Sequence, residues 1–114
     1  MEKDCIFCKI IDKKIPAQFE YEDSELVAIQ DVNPQAPVHI LVIPRKHIPE
    51  ISHTDEHDRS LLGRLLLEAR ALAREKKIED GYRLVFNNGA KAGQSVFHIH
   101  LHLLGGRRMS WPPG

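Results

Sequence analysis

The chain has 114 residues, with sixteen lysines and arginines balanced by sixteen acids. That length fits one domain with one core, and neutrality removes the basic excess expected of a nucleic-acid or anionic-membrane binder. No apolar run approaches the ~20 residues of a membrane span, and Met1-Glu2-Lys3-Asp4 lacks the long apolar stretch of a signal peptide, so cytoplasmic residence is the expectation.

Cys5-Ile6-Phe7-Cys8-Lys9-Ile10-Ile11 reads as a short helix capping the core, ended by Lys13-Lys14-Ile15-Pro16 because proline disfavours helical geometry in its predecessor. The Cys5-x-x-Cys8 spacing points to metal or redox use more than to a structural disulfide. Phe19 and Tyr21 alternate with charge in a short strand. Leu26 to Asp31 form a second strand, with Val27, Ile29 and Asp31 on one face. After the stiff Asn33-Pro34-Gln35-Ala36-Pro37 connection, Val38 to Pro44 is nearly all apolar and reads as a central strand interrupted by His39. A satisfied core imidazole and a share in a common site explain His39 equally well.

Thr54 is the expected N-cap of a long helix, with Asp55 and Glu56 at its positive end and Lys76-Lys77 at its negative end. Leu61, Leu62, Leu65, Leu66, Ala69, Leu72 and Ala73 give it one apolar face, that of a helix covering a sheet. Gly81 to Asn87 alternates as a further strand, and Gly89-Ala90-Lys91-Ala92-Gly93 is a glycine-bounded loop. Strands, one covering helix, then strands predict an α+β fold with an antiparallel sheet.

The loop delivers Gln94 and Ser95 to Val96-Phe97-His98-Ile99-His100-Leu101-His102-Leu103-Leu104. If this stretch is one strand, His98, His100 and His102 line one face, and Ile99, Leu101 and Leu103 line the other. A row of imidazoles beside hydrogen-bonding side chains suits a phosphate ester. From chemistry alone, catalysis and metal coordination carry equal weight. Gly105-Gly106 then releases a tail ending Ser110-Trp111-Pro112-Pro113-Gly114.

His98-Ile99-His100-Leu101-His102-Leu103-Leu104 resembles the His-x-His-x-His-x-x signature of the histidine triad (HIT) family. Further likeness lies in Cys5 to Ile11, Asp31-Val32-Asn33-Pro34, His39 to Pro44, Gly93-Gln94-Ser95 and Trp111-Pro112-Pro113-Gly114. The tail and the Gly-Gln-Ser approach are similar to the histidine triad nucleotide-binding protein branch; the diadenosine polyphosphate hydrolase branch lacks that tail. Arg45 stands where lysine is commoner, and Ser110 where the branch often has histidine.

The resemblance implies one HIT domain over residues 1–114, with a five-stranded antiparallel sheet covered by one long helix plus a short N-terminal helix. It implies a homodimer, with the tail of residues 105–114 docking near the dimer interface. It implies hydrolysis of purine nucleoside phosphoramidates to AMP or GMP and an amine. In it, His100 matches the nucleophile, and His102 and His39 its imidazole neighbours on the phosphate. Asn87, Gly93, Gln94 and Ser95 match phosphate and leaving-group contacts, Asp31 the ribose carboxylate, Val32 a residue beside the base, and Trp111 a contributor to substrate choice. Cys5, Cys8, His47 and His98 match the Cys₂His₂ zinc set that some members carry, against the alternative of two buried reduced thiols. No cofactor is expected for catalysis, and no nucleic acid or membrane partner. The alternatives are a dinucleoside polyphosphate or other nucleotidyl hydrolase, and a non-catalytic zinc or nucleotide-binding regulator.

Overall fold

A computed structural model describes residues 4–114. Its five strands are β1 (Phe19–Glu22), β2 (Leu26–Gln30), β3 (Val38–Pro44), β4 (Tyr82–Val85) and β5 (Leu101–Gly105). They form one antiparallel sheet in the order β1-β2-β3-β5-β4, so β5 enters between β3 and β4. Two helices, α1 (Ile6–Ile11) and α2 (Arg59–Glu75), cover opposite faces. This is the α+β sheet with one long and one short helix that the sequence predicts.

The faces follow from strand alternation. Leu26, Ala28, Ile40, Val42, Leu101 and Leu103 point toward α2 and pack with Leu65, Ala69, Leu72 and Ala73. Val27, Ile29, Leu41 and Ile43 point the other way, against Phe7, Cys8, Ile10 and Ile11 of α1. The α1 side is shallower, because six helical residues cannot cover a five-stranded sheet. His39, His98 and His100 lie buried on this face, with Phe7 of α1 packed against His98 and His100.

Three local expectations are corrected. The first concerns Pro16: α1 ends at Ile11, well before it. Lys13 adopts φ 64°, and Lys14 N–H returns to the Lys9 carbonyl at 2.9 Å, a left-handed helix stop. The second is the N-cap. Asp55, not Thr54, caps the turn leading into α2, accepting from His57 N–H while Asp58 accepts from Asp55 N–H. Thr54 instead donates to the Ile51 carbonyl. In the third, the histidine stretch is not one strand: β5 begins at Leu101, and β3 pairs with it only from Val42↔Leu101 onward. Ile99 N–H turns aside to the Ile48 carbonyl at 2.8 Å. The alternation persists outside the ladder, because Ile99, Leu101 and Leu103 still enter the α2-side core.

Candidate active site

Strand register assembles the first group. Leu41 pairs with His102 and His39 with Leu104, so His39 and His102 are diagonal neighbours on the α1 face. His39 Nε2 lies 2.9 Å from His102 Nδ1 and 3.4 Å from Asp31 Oδ2. Asp31 follows β2, where its N–H bonds the His39 carbonyl. Its Oδ1 accepts from Asn33 N–H at 2.8 Å, so the carboxylate shapes its own turn and faces His39 at once.

His100 is buried, and its Nδ1 donates to the His98 carbonyl at 2.8 Å. With that nitrogen carrying the proton, Nε2 keeps its lone pair. Phe7 packs edge-on against the His100 ring at 5.0 Å between centroids, and His102 lies at 4.9 Å. Burial pushes the His100 pKa below its usual value, against the opposite pull of the His98 carbonyl bond. Burial, then the neighbouring His100 and His39, lowers His102 to about 4. Burial also lowers His39, opposed by Asp31. Loss of water, more than crowding of like charges, therefore keeps this row neutral at pH 7.

The row opens into a cavity of about 320 Å³. Asp31, Val32, Ser95, His100 and His102 line it. So do Ile6, Phe7, Ile10, Ile29 and Leu41, which sequence reasoning did not assign to the site. Their signal was the second apolar face of a short helix and of two strands, indistinguishable in sequence from core. An apolar slot ending in a carboxylate and imidazoles suits a flat base, a ribose and a phosphate.

The remaining expected residues are placed differently. Asn87 is half-buried just past β4 and does not line the cavity. Gly93 takes φ 94°, closing the turn that begins at Gly89. Gln94 is buried: its amide donates to the Pro49 and Val96 carbonyls, and its oxygen accepts from Gly89 N–H. Those bonds pin the glycine loop beside Ser95. Trp111 is 83% exposed, and the tail is tied down by Arg83 donating to the Ser110 carbonyl.

A second group, Cys5, Cys8, His47 and His98, has its donor atoms all within 4.8 Å of one another. His98 Nδ1 stands 3.0 Å from His47 Nδ1, 3.3 Å from Cys5 Sγ and 3.6 Å from Cys8 Sγ. Tetrahedral zinc, with bonds of about 2.0–2.3 Å, separates its donors by about 3.3–3.8 Å. His98 Nε2 donates to the Pro44 carbonyl at 2.7 Å, which leaves Nδ1 as the ligand atom. The donor set fits the metal. Asp31, His39 and His102 are also close together, but there Gln35 N–H occupies His39 Nδ1 at 3.0 Å. The proton is thereby forced onto Nε2, the atom that would have to ligate, and this group does not fit.

Among the described residues no helix is long and apolar enough to cross a membrane. The chain is 56% identical, over the whole of both chains, to an uncharacterized HIT-like protein of Synechocystis. It superposes on a HIT family hydrolase from Legionella pneumophila with TM-score 0.96 and 50% identity, covering 97% of this chain and all of that one. A HIT family hydrolase from Clostridium thermocellum gives TM-score 0.94 and 44% identity, over 96% of each. Residues 12–109 match the HIT domain, and the chain belongs to the HIT family.

Proposed function

We propose that the chain hydrolyses purine nucleoside phosphoramidates, releasing a nucleoside monophosphate and an amine through a nucleotidyl-His100 intermediate. The hydrolase names of its structural relatives support the reaction class. The observation that carries the mechanism is the 2.8 Å bond from His100 Nδ1 to the His98 carbonyl, which aims the Nε2 lone pair into the cavity. The base lies in the slot between Phe7, Ile29 and Val32, and Asp31 accepts from ribose hydroxyls. His100 Nε2 attacks phosphorus, the P–N bond breaks, and the amine leaves with a solvent proton relayed through His102 or Ser95, a proton given back to solvent when water adds in the next step. Water then attacks the same phosphorus, releasing the nucleotide and returning His100 neutral.

Zinc at Cys5, Cys8, His47 and His98 would be structural, pinning α1 to the sheet beside the cleft. The exposed Trp111 and the β4 edge belong to a homodimer in which the tail reaches the partner's cleft and tunes the choice of amine. A monomer by sedimentation at micromolar concentration removes the dimer from this reading.

The deciding experiment is rapid quench with a labelled adenosine phosphoramidate. Label trapped on His100 in an acid-labile, base-stable bond is expected, and His100→Ala should bind nucleotide yet lose several orders of magnitude in turnover. Label on another residue, or full activity in His100→Ala, overturns the mechanism. Faster turnover of a dinucleoside polyphosphate than of a fluorogenic amine adenylate would move the protein to the alternative nucleotidyl hydrolase.

A further inference from the structure

The imidazole pair behind His100 is tied to a backbone donor that lies outside the cavity lining. The loop between β2 and β3 carries Gln35, whose N–H donates to His39 Nδ1 at 3.0 Å. A neutral imidazole that accepts at Nδ1 must hold its proton on Nε2. His39 Nε2 has two acceptors in reach, His102 Nδ1 at 2.9 Å and Asp31 Oδ2 at 3.4 Å. The nearer takes the proton. His102, accepting at Nδ1, then carries its own proton on Nε2.

The loop is itself braced from the root of the C-terminal tail. Arg107 Nε donates to the Gln35 carbonyl at 3.0 Å. Gly106 takes φ 90°, a conformation that favours glycine, and packs close to the loop, where an added Cβ would stand a tight 3.0 Å from Pro37 Cβ. Register explains the meeting: Val38 pairs with Gly105, so the chain leaves β5 where the loop enters β3. Gln35 Nε2 also donates to the Asn33 carbonyl, tightening the loop on itself.

We propose that the Gln35 backbone N–H, braced by Arg107, fixes the tautomers of His39 and His102 so that His102 presents an N–H, not a lone pair, to the leaving group. Gln35 and Arg107 are positioning residues, since neither lines the cavity that holds His100. Without the Gln35 donor, His39 is free to take the other tautomer, with Nε2 bare and His102 Nδ1 protonated in its place. His102 would then offer a lone pair where an amine needs a proton. The catalytic consequence rests on the reading that His102 delivers that proton; the tautomer assignment does not.

The test begins with long-range ¹H–¹⁵N spectra of the full chain at pH 7.5, where protonated and bare ring nitrogens differ in shift. Protons on His39 Nε2 and His102 Nε2 are expected, and protons on the Nδ1 atoms overturn the inference. Gln35→Pro deletes the N–H and keeps the carbonyl, and Arg107→Met removes the brace from the surface; each should mix the tautomers of both rings. Unchanged tautomers in both folded variants overturn the inference, and Arg107→Met serves alone if the proline variant does not fold. With an alkylamine leaving group kcat should fall about tenfold at constant KM, a fraction of what a general acid supplies. With a nitrophenyl ester in place of the amide, whose nitrophenolate departs without a proton, kcat should hold. Mixed tautomers with undiminished alkylamine turnover would uphold the positioning and refute proton delivery by His102.

Discussion

Phe7→Leu tests whether the α1 cover governs the chemistry as well as the fold. Phe7 is 6% exposed and meets His100 and His98 edge-on at 5.0 and 6.0 Å. Leucine removes three buried carbons, worth about 2 kcal/mol at ~0.8 kcal/mol each. Loss of the two ring contacts brings the cost to about 3 kcal/mol. A chain of this length unfolds with an entropy of about 0.24 kcal/mol/K, so Tm should fall by roughly 12 °C. The gap also admits water beside a ring whose pKa is held down chiefly by burial, so the His100 pKa should rise toward 6.5. Calorimetry reads the first effect. An NMR titration of His100, with the acid limb of the rate profile, reads the second. A Tm loss under about 2 °C together with an unmoved His100 titration would refute the reasoning.

Asp31→Asn should raise KM far more than it lowers kcat, since each hydroxyl bond to a carboxylate is worth roughly 1.5–3 kcal/mol. Equal affinity of the wild type for a 2′,3′-dideoxy analogue would count against the ribose role. His102 titrates near 6.5 when unfolded and at about 4 when folded. Between those values the unfolded chain binds more protons, so stability is full above pH 6.5 and falls as the pH drops, by at most about 3 kcal/mol from this group. Identical urea midpoints at about pH 7 and 4.5 would contradict it. Elemental analysis should find one zinc per chain, and chelator should lower Tm; a zinc-free protein with unchanged melting would sink the metal assignment.

Where sequence reasoning succeeded, it relied on periodicity. The two-residue alternation in Leu26–Gln30, Val38–Pro44 and Leu101–Gly105 fixed which side chains share a face, and the three- and four-residue spacing of Leu65, Ala69, Leu72 and Ala73 fixed the buried face of α2, although Leu66, expected on it, is exposed. It could not tell a paired strand from an extended chain without a partner. His98 and His100 keep their alternation although Ile99 bonds to Ile48 and not to a neighbouring strand. Gln94 shows a second blind spot. A polar side chain before a histidine motif looks like a ligand contact, but which donors reach which carbonyls is decided by loop closure. The Gln35–His39 bond is a main-chain donation, and every residue but proline carries that donor, so no residue type could have signalled it.

His98 serves two sites through two parts of one residue. Its ring stands among Cys5, Cys8 and His47, while its carbonyl orients His100. The carbonyl comes with any amino acid; the ring comes only with histidine. A substitution at position 98 therefore removes the cluster's imidazole and leaves the anchor of the His100 ring in place. The first histidine of the triad can thus change its ring without changing the bond that orients the second. A chain that abandoned its thiols and this imidazole together would still hold a ring nitrogen ready at position 100.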